Sequence, residues 1–226
     1  MRIRILGLLC LGLMVSLATD AKANFVVDGN FSGAPTPGPT GLLTDPEGSS
    51  GIPSWNVVAG LHGDSTGSVD VVDSAFFPPP PGSPAGTQLI DLDGTSTNPV
   101  GGITQMINGL VTGQTYTVSF TYANNPNAFP NASATISIGG ASDTVTHSGS
   151  TVASPSYVTT SFTFVASGPS QLLSAISDDP AGDYSGILVT NFDVELSAVP
   201  EPASIAMLGL GLVAVGGYVR ARRRTA

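Results

Sequence analysis

The sequence predicts an all-β fold, a β-sandwich, on three observations. Helical periodicity is nearly absent between residues 24 and 199. In its place, short runs rich in Val, Ile, Thr, Phe and Tyr recur between clusters of Gly, Pro, Asn and Asp, the pattern of strands joined by turns. One run, Thr115 to Tyr122, alternates without a break, with Tyr116, Val118, Phe120 and Tyr122 on one face and Thr115, Thr117, Ser119 and Thr121 on the other. One face of such a strand is core and the other meets water.

Taken in order, strands are expected near Phe25 to Val27, Trp55 to Val58, Ser68 to Val72, Gln88 to Leu92 and Gly102 to Ile107. Others follow near Gln114 to Ala123, Ala134 to Ile138, Tyr157 to Val165, Gln171 to Ile176 and Gly186 to Leu196. Ser32 to Gly51 and Phe76 to Gly86 hold most of the prolines and read as loops, with Pro78-Pro79-Pro80-Pro81 an extended polyproline spacer. The stretch is long enough for one domain with its own core.

The two ends are organised differently. Arg2 and Arg4 precede the apolar run Ile5 to Leu17, and Ala21-Lys22-Ala23 supplies a small-x-small cleavage site, so residues 1–23 read as a signal peptide removed by signal peptidase. The single cysteine, Cys10, lies inside that segment, which leaves the exported chain without disulfides, thiol nucleophiles or thiolate zinc ligands. At the other end, Ser204 to Val219 is apolar and is followed by Arg220, Arg222, Arg223 and Arg224. At 1.5 Å per residue the run reaches about 24 Å, enough for a single transmembrane helix in a slightly thinned bilayer, with the arginines cytoplasmic.

Residues 198–226, with Val199-Pro200-Glu201-Pro202, one short span and an arginine cluster, closely resemble a PEP-CTERM sorting signal. The resemblance implies a Gram-negative bacterium that makes exopolysaccharide, and an exosortase-like membrane protease as partner. It implies a protein held transiently in the inner membrane, then released or transferred at the cell surface. The prolines on either side of Glu201 also forbid helix and sheet, leaving an extended segment that a protease can read.

Charge divides along the same boundaries. All the basic residues lie in the two ends, and between Asn24 and Val199 there is neither lysine nor arginine. Every acid of the chain except Asp20 and Glu201 lies in that stretch, which gives it fourteen negative charges and no positive one. Such a surface cannot neutralise phosphates, so nucleic acid is excluded as a partner. Salt bridges to lysine or arginine are impossible within it, and relief of self-repulsion falls to dispersion, salt or bound cations, for which oxygen-rich sites suit calcium.

A second resemblance covers the domain, residues 24–197. "NFVVDGNF" at 24 to 31, Trp55, "GSVDVV" at 67 to 72, "GTQLIDLDG" at 86 to 94, "GGITQ" at 101 to 105, "LVTGQTYTVSFTYANNP" at 110 to 126, "FTFVA" at 162 to 166 and "TNFDVEL" at 190 to 196 resemble, in order and spacing, the choice-of-anchor C and DUF642 group. That resemblance implies a jelly roll of galactose-binding-like type, associated with walls or polysaccharide. Related sugar-binding jelly rolls hold a structural calcium with a first-strand Glu and a last-strand acid. Here Ser32 stands in place of that Glu and Asp193 stands where the last-strand acid would be, which leaves Asp193 with Asp28, or Glu195, as the candidate metal ligands and a solvated acidic face as the competing reading.

Catalytic patterns are weaker. Gly63-Asp64-Ser65-Thr66-Gly67 satisfies Gly-x-Ser-x-Gly beside His62, but a nucleophile elbow needs a helix after it and Ser68 to Val72 reads as a strand. His62 and His147 have no metal-ligand spacing. Asp91 and Asp93 share a strand face at glycosidase-like separation, but nothing in the sequence sets their pKa values apart, and Asp93-Gly94 reads as a turn. For sugar binding, Asp91, Asp93, Asn124 and Tyr184 are the candidate contacts, while Trp55 and Tyr122 read as core. The expectation is a non-catalytic carbohydrate-binding or structural matrix protein, exported and exosortase-processed. An extracellular carbohydrate-active hydrolase is the alternative.

Overall fold

Tyr116, Val118 and Phe120 are buried while Thr115 is exposed and Thr117 and Ser119 are half-buried, so the long alternating run forms the strand its pattern demands. The computed structural model describes residues 23–197 apart from 40, 50, 62–65, 96–98, 128–130 and 181–183. Eleven strands are described: β1 (Leu42–Pro46), β2 (Asn56–Ala59), β3 (Ser68–Val72), β4 (Leu89–Asp91), β5 (Gly101–Asn108), β6 (Thr115–Asn124), β7 (Ala132–Ile138), β8 (Ala141–His147), β9 (Val158–Val165), β10 (Ser170–Ser177) and β11 (Ile187–Leu196). No helix occurs among the described residues. The stretch read as a signal peptide, the expected span Ser204 to Val219 and the terminal arginines lie outside them.

The strands build two antiparallel sheets, ordered β1-β3-β4-β11-β6-β9 and β2-β5-β10-β7-β8, and their inner faces enclose one core: the expected all-β jelly-roll sandwich. Its hub is aromatic. Phe31 and Phe192 each pack against Trp55 at 5.3 Å between ring centroids, and Phe120 stacks on Phe192 at 5.6 Å. Phe192 reaches this hub because the β11–β6 register slips between Thr190 and Asp193, with Asn191 in the left-handed region at φ 51. The extra residue bends the strand and re-aims its side chains. Beside the bulge the Phe192 amide donates to the Gly29 carbonyl at 2.9 Å, and a Cβ on residue 29 would overlap the Phe192 carbonyl, so only glycine allows this approach.

Sheet one is covered on its outer face as well. Every residue of β3 is buried, because the proline-rich segment after it folds back over the sheet. There Phe77 joins Val72, Leu89 and Leu188 in a second apolar cluster, and the Tyr157 hydroxyl donates to the Pro78 carbonyl at 2.6 Å. The tetraproline segment is therefore a packed strap rather than a spacer.

Three elements differ from the sequence reading. Phe25 to Val27 is extended but forms no strand: the Asn24 side chain takes the Val26 amide at 2.8 Å, and Gln105 Oε1 takes that of Val27 at 2.9 Å. Side chains here replace a ladder. The stretch read as a loop from Ser32 to Gly51 contains β1, an edge strand whose Asp and Pro mask it. The other missed strand, β8, is also an edge, and its polar residues have only one neighbouring strand to satisfy.

Removing the hub ring tests this architecture. Phe192→Ala is expected to cost about 3–5 kcal/mol in urea unfolding, whereas Val165→Ala, on the exposed edge, should stay within about 0.5 kcal/mol.

Candidate functional site

The bulge, the N-terminal segment and the strap meet at Pro84, and an open cleft of about 400 Å³ lies between them. Its polar wall is built from Asn24, Asp28, Asn30, Asn191 and Asp193. Asn24 Oδ1 accepts the amides of Val26 and Val194, tying the chain start to β11. Asn191 Nδ2 donates to Ser83 Oγ at 3.0 Å, tying the bulge to the strap. Asp28, at φ 53, accepts the Ser32 hydroxyl at 3.2 Å and the Gly33 amide at 3.1 Å, while its carbonyl takes the Trp55 indole N–H at 3.3 Å. A cleft of similar volume opens on the other side of Pro84, against Asp73, Ser83 and Gln88.

The two acids expected to hold calcium thus line one cleft. Ser32, at the position where the related jelly rolls have a Glu, donates its hydroxyl to Asp28. Among the described residues no three His, Cys, Asp or Glu side chains are grouped to hold a metal ion, whereas calcium takes six to eight oxygens.

The residues expected to touch a sugar fall elsewhere. Asp91 is 1 % exposed, Asp93 0 % and Asn124 5 %, so these three lie inside the protein; Tyr184 is 51 % exposed. The three buried residues belong to one hydrogen-bonded system. Asp91 Oδ1 accepts the amides of Asp93 and Gly186 at 3.1 and 3.0 Å, and Oδ2 accepts Asn125 Nδ2 at 2.6 Å. The Asn125 amide in turn donates to the Gly186 carbonyl at 2.8 Å. Gly186 is tight against Asp93, since a Cβ there would lie 2.7 Å from Asp93 Cγ. Asn124 Nδ2 donates to the Asn125 carbonyl, and Asn124 Oδ1 takes the Ser150 amide and lies 2.8 Å from His147 Nδ1. Asp93 lies past the end of β4, bridged to Val100, rather than on one strand with Asp91. Ser65 and His62 lie outside the described residues.

Asp70 on β3 stands directly across from Asp91. It is also buried, accepting the Thr95 amide at 3.2 Å. Burial pushes the Asp91 carboxyl up from 3.8 to about 7, against the pull of its three donors, and the Asp70 charge adds to the rise. Burial raises Asp70 too. The environment thus separates Asp91 from an ordinary carboxylate, a distinction that spacing alone did not reveal.

Residues 198–224 match the PEP-CTERM protein-sorting motif. The match takes in Val199, Pro200, Glu201, Pro202 and the four arginines, and it marks an exported, cell-surface bacterial protein processed by an exosortase. No curated protein matches the chain. Among solved structures the chain is similar to a CBM4 structure, at 17% identity over 76% of this chain and 99% of that one with a TM-score of 0.42. It is similar to a family 35 carbohydrate binding module from Clostridium thermocellum, at 11% identity over 69% of this chain and 99% of that one with a TM-score of 0.41. The C-terminal domain of EclA, a sugar-binding protein, is similar at 17% identity and a TM-score of 0.34; 41% of this chain covers 64% of that one.

A pH dependence of stability follows from Asp91. Its carboxyl binds a proton more tightly folded than unfolded, so the stabilisation is complete below about pH 4 and is lost as the pH rises to about 7. Asp70, shifted in the same direction, adds to the effect. The melting temperature should fall across that window, and Asp91→Asn should flatten most of the slope in calorimetric scans.

Proposed function

We propose that the protein is a non-catalytic carbohydrate-binding module, exported by a Gram-negative bacterium and delivered to its exopolysaccharide layer. One observation carries the reading: a sorting motif follows a sandwich whose open clefts are lined by amides, carboxylates and hydroxyls. Those groups match the hydroxyl edges of sugars, and the same surface, with no lysine or arginine, is unsuited to phosphates. In this reading the span holds the chain in the inner membrane only until an exosortase acts near Pro200-Glu201-Pro202, after signal peptidase has removed residues 1–23. The chain has no reaction of its own, which the enclosure of Asp91 and Asp93 supports.

Two experiments test it. The purified protein should be retained by exopolysaccharide from the producing cells, and chelation of calcium should leave retention unchanged; failure to bind any glycan on a broad array would refute the module. Replacement of Pro200, Glu201 and Pro202 by alanine should leave the chain in the inner membrane, its arginine tail still detectable by mass spectrometry. Normal release of that variant would refute the processing step.

A further inference from the structure

The two ends of the sandwich differ in charge. Where β11 starts, Leu188 pairs with Asp91 and Asp91 with Asp70, while Asp93 bridges to Val100 and Asp178 and Asp179 follow the last residue of β10. Where β11 finishes, Leu196 pairs with Tyr116 and the Ser197 amide donates to the Thr115 carbonyl at 2.9 Å. Three connections meet at this second end: 109–114 between β5 and β6, 139–140 between β7 and β8, and 166–169 between β9 and β10. The Leu110 amide reaches the Pro169 carbonyl at 3.1 Å, the Gly113 amide reaches the Ala166 carbonyl at 2.7 Å, and Gly139 lies against Phe164 and Gln171. None of the three contains a charged residue, in a domain with fourteen acids.

Apolar side chains stand open at the uncharged end. Val111 is 59 % exposed, Val165 57 % and Leu196 45 %, and all three lie around the start of β6: Val111 donates its amide to the Tyr116 hydroxyl, Val165 pairs with Thr115, and Leu196 with Tyr116. Met106 and Leu172, register partners on β5 and β10, carry the apolar surface onto the five-stranded sheet.

The length of the chain beyond β11 says what lies opposite. Six residues, 198–203, separate Ser197 from the apolar run that begins at Ser204. Fully extended they reach about 20 Å, of which the lipid headgroup layer takes about 5–7 Å. With Ser204 to Val219 in the bilayer, the uncharged end is the part of the domain nearest to it. Charge agrees with this placement. An anionic lipid surface repels carboxylates over a Debye length of roughly 8 Å, and the ten residues of β11 hold the acids of the opposite end about 30 Å away. A tether this short also supplies an effective concentration of about millimolar, at which a contact made by a few aliphatic side chains persists.

We infer that the uncharged end is a membrane-seating face: while the tail is attached, Val111, Val165 and Leu196 rest in the headgroup layer of a lipid bilayer. The inference rests on the proposed span and adds to it a lipid contact made by the folded domain. Seating fixes the height at which Pro200-Glu201-Pro202 is offered to a membrane protease.

The test uses the unprocessed full chain in vesicles of phosphatidylethanolamine and phosphatidylglycerol whose acyl chains are brominated to quench indole emission. Buried Trp55 supplies a constant background. A second indole is placed at the seating end by Val111→Trp, or at the opposite end by Leu61→Trp, where exposed Leu61 is hydrogen-bonded to Ser177. The added emission should be quenched at least twofold in Val111→Trp and unchanged in Leu61→Trp. Adding Val165→Asp to Val111→Trp should cancel the quenching, with an unchanged urea midpoint to show that the fold is kept. Equal quenching at both ends, or quenching that survives Val165→Asp, overturns the seating face, because tethering alone then explains it. No quenching in a chain that resists carbonate extraction overturns the seating face and leaves the span, whereas release by carbonate overturns both. Burial of the Val111→Trp indole only when an exosortase is present assigns this end to the protease and overturns the lipid contact.

Discussion

A folded domain with fourteen carboxylates and no lysine or arginine has to house every enclosed acid with neutral donors. That constraint organises much of the structure. Asp91 is met by two backbone amides and one side-chain amide, Asp70 by Thr95, Asp28 by Ser32 and Gly33, and Asp45 by the Ser49 hydroxyl. Each solution demands a local turn, since backbone N–H groups converge on one carboxylate only where the chain bends. The turns around Asp28, Asp93 and Gly186 are in this sense counter-ions made of peptide.

The arrangement also separates two kinds of acid. Asp70 and Asp91 face each other across neighbouring strands near the second apolar cluster, where low polarity favours the protonated form. Asp28, Asp73 and Asp193 stand at the clefts beside the bulge and the strap, where solvent reaches them. The first set is enclosed and the second half-exposed, although one composition supplies both.

The sheet strands were legible because their alternation is driven by the core: Tyr116, Val118 and Phe120 have no other way to leave water together. The sorting tail was legible because its order of proline, apolar and basic segments is itself the signal. Edges were not legible. Strands β1 and β8 bury little, and Leu42–Pro46 and Ala141–His147 have the composition of loops. Asp91 and Asn124 stood out as polar residues beside strands, but their burial depends on Gly186 and Asn125, which are brought in by a strand far along the chain and by a turn. Gln88 gave no signal, because a buried carbonyl left over after its amide is used is a property of packing and not of pattern.

The bulged strand β11 has a further role. It runs through the interior of the six-stranded sheet, hydrogen-bonded to β4 and β6, and the chain leaves its far end directly into the sorting segment, while its bulge forms a wall of the cleft at Pro84. A pull on the tail would therefore be carried along this one strand. Interstrand bonds lie across that direction, so they are loaded together in shear and cannot open one at a time. The fold has placed its mechanical line through its best-braced member.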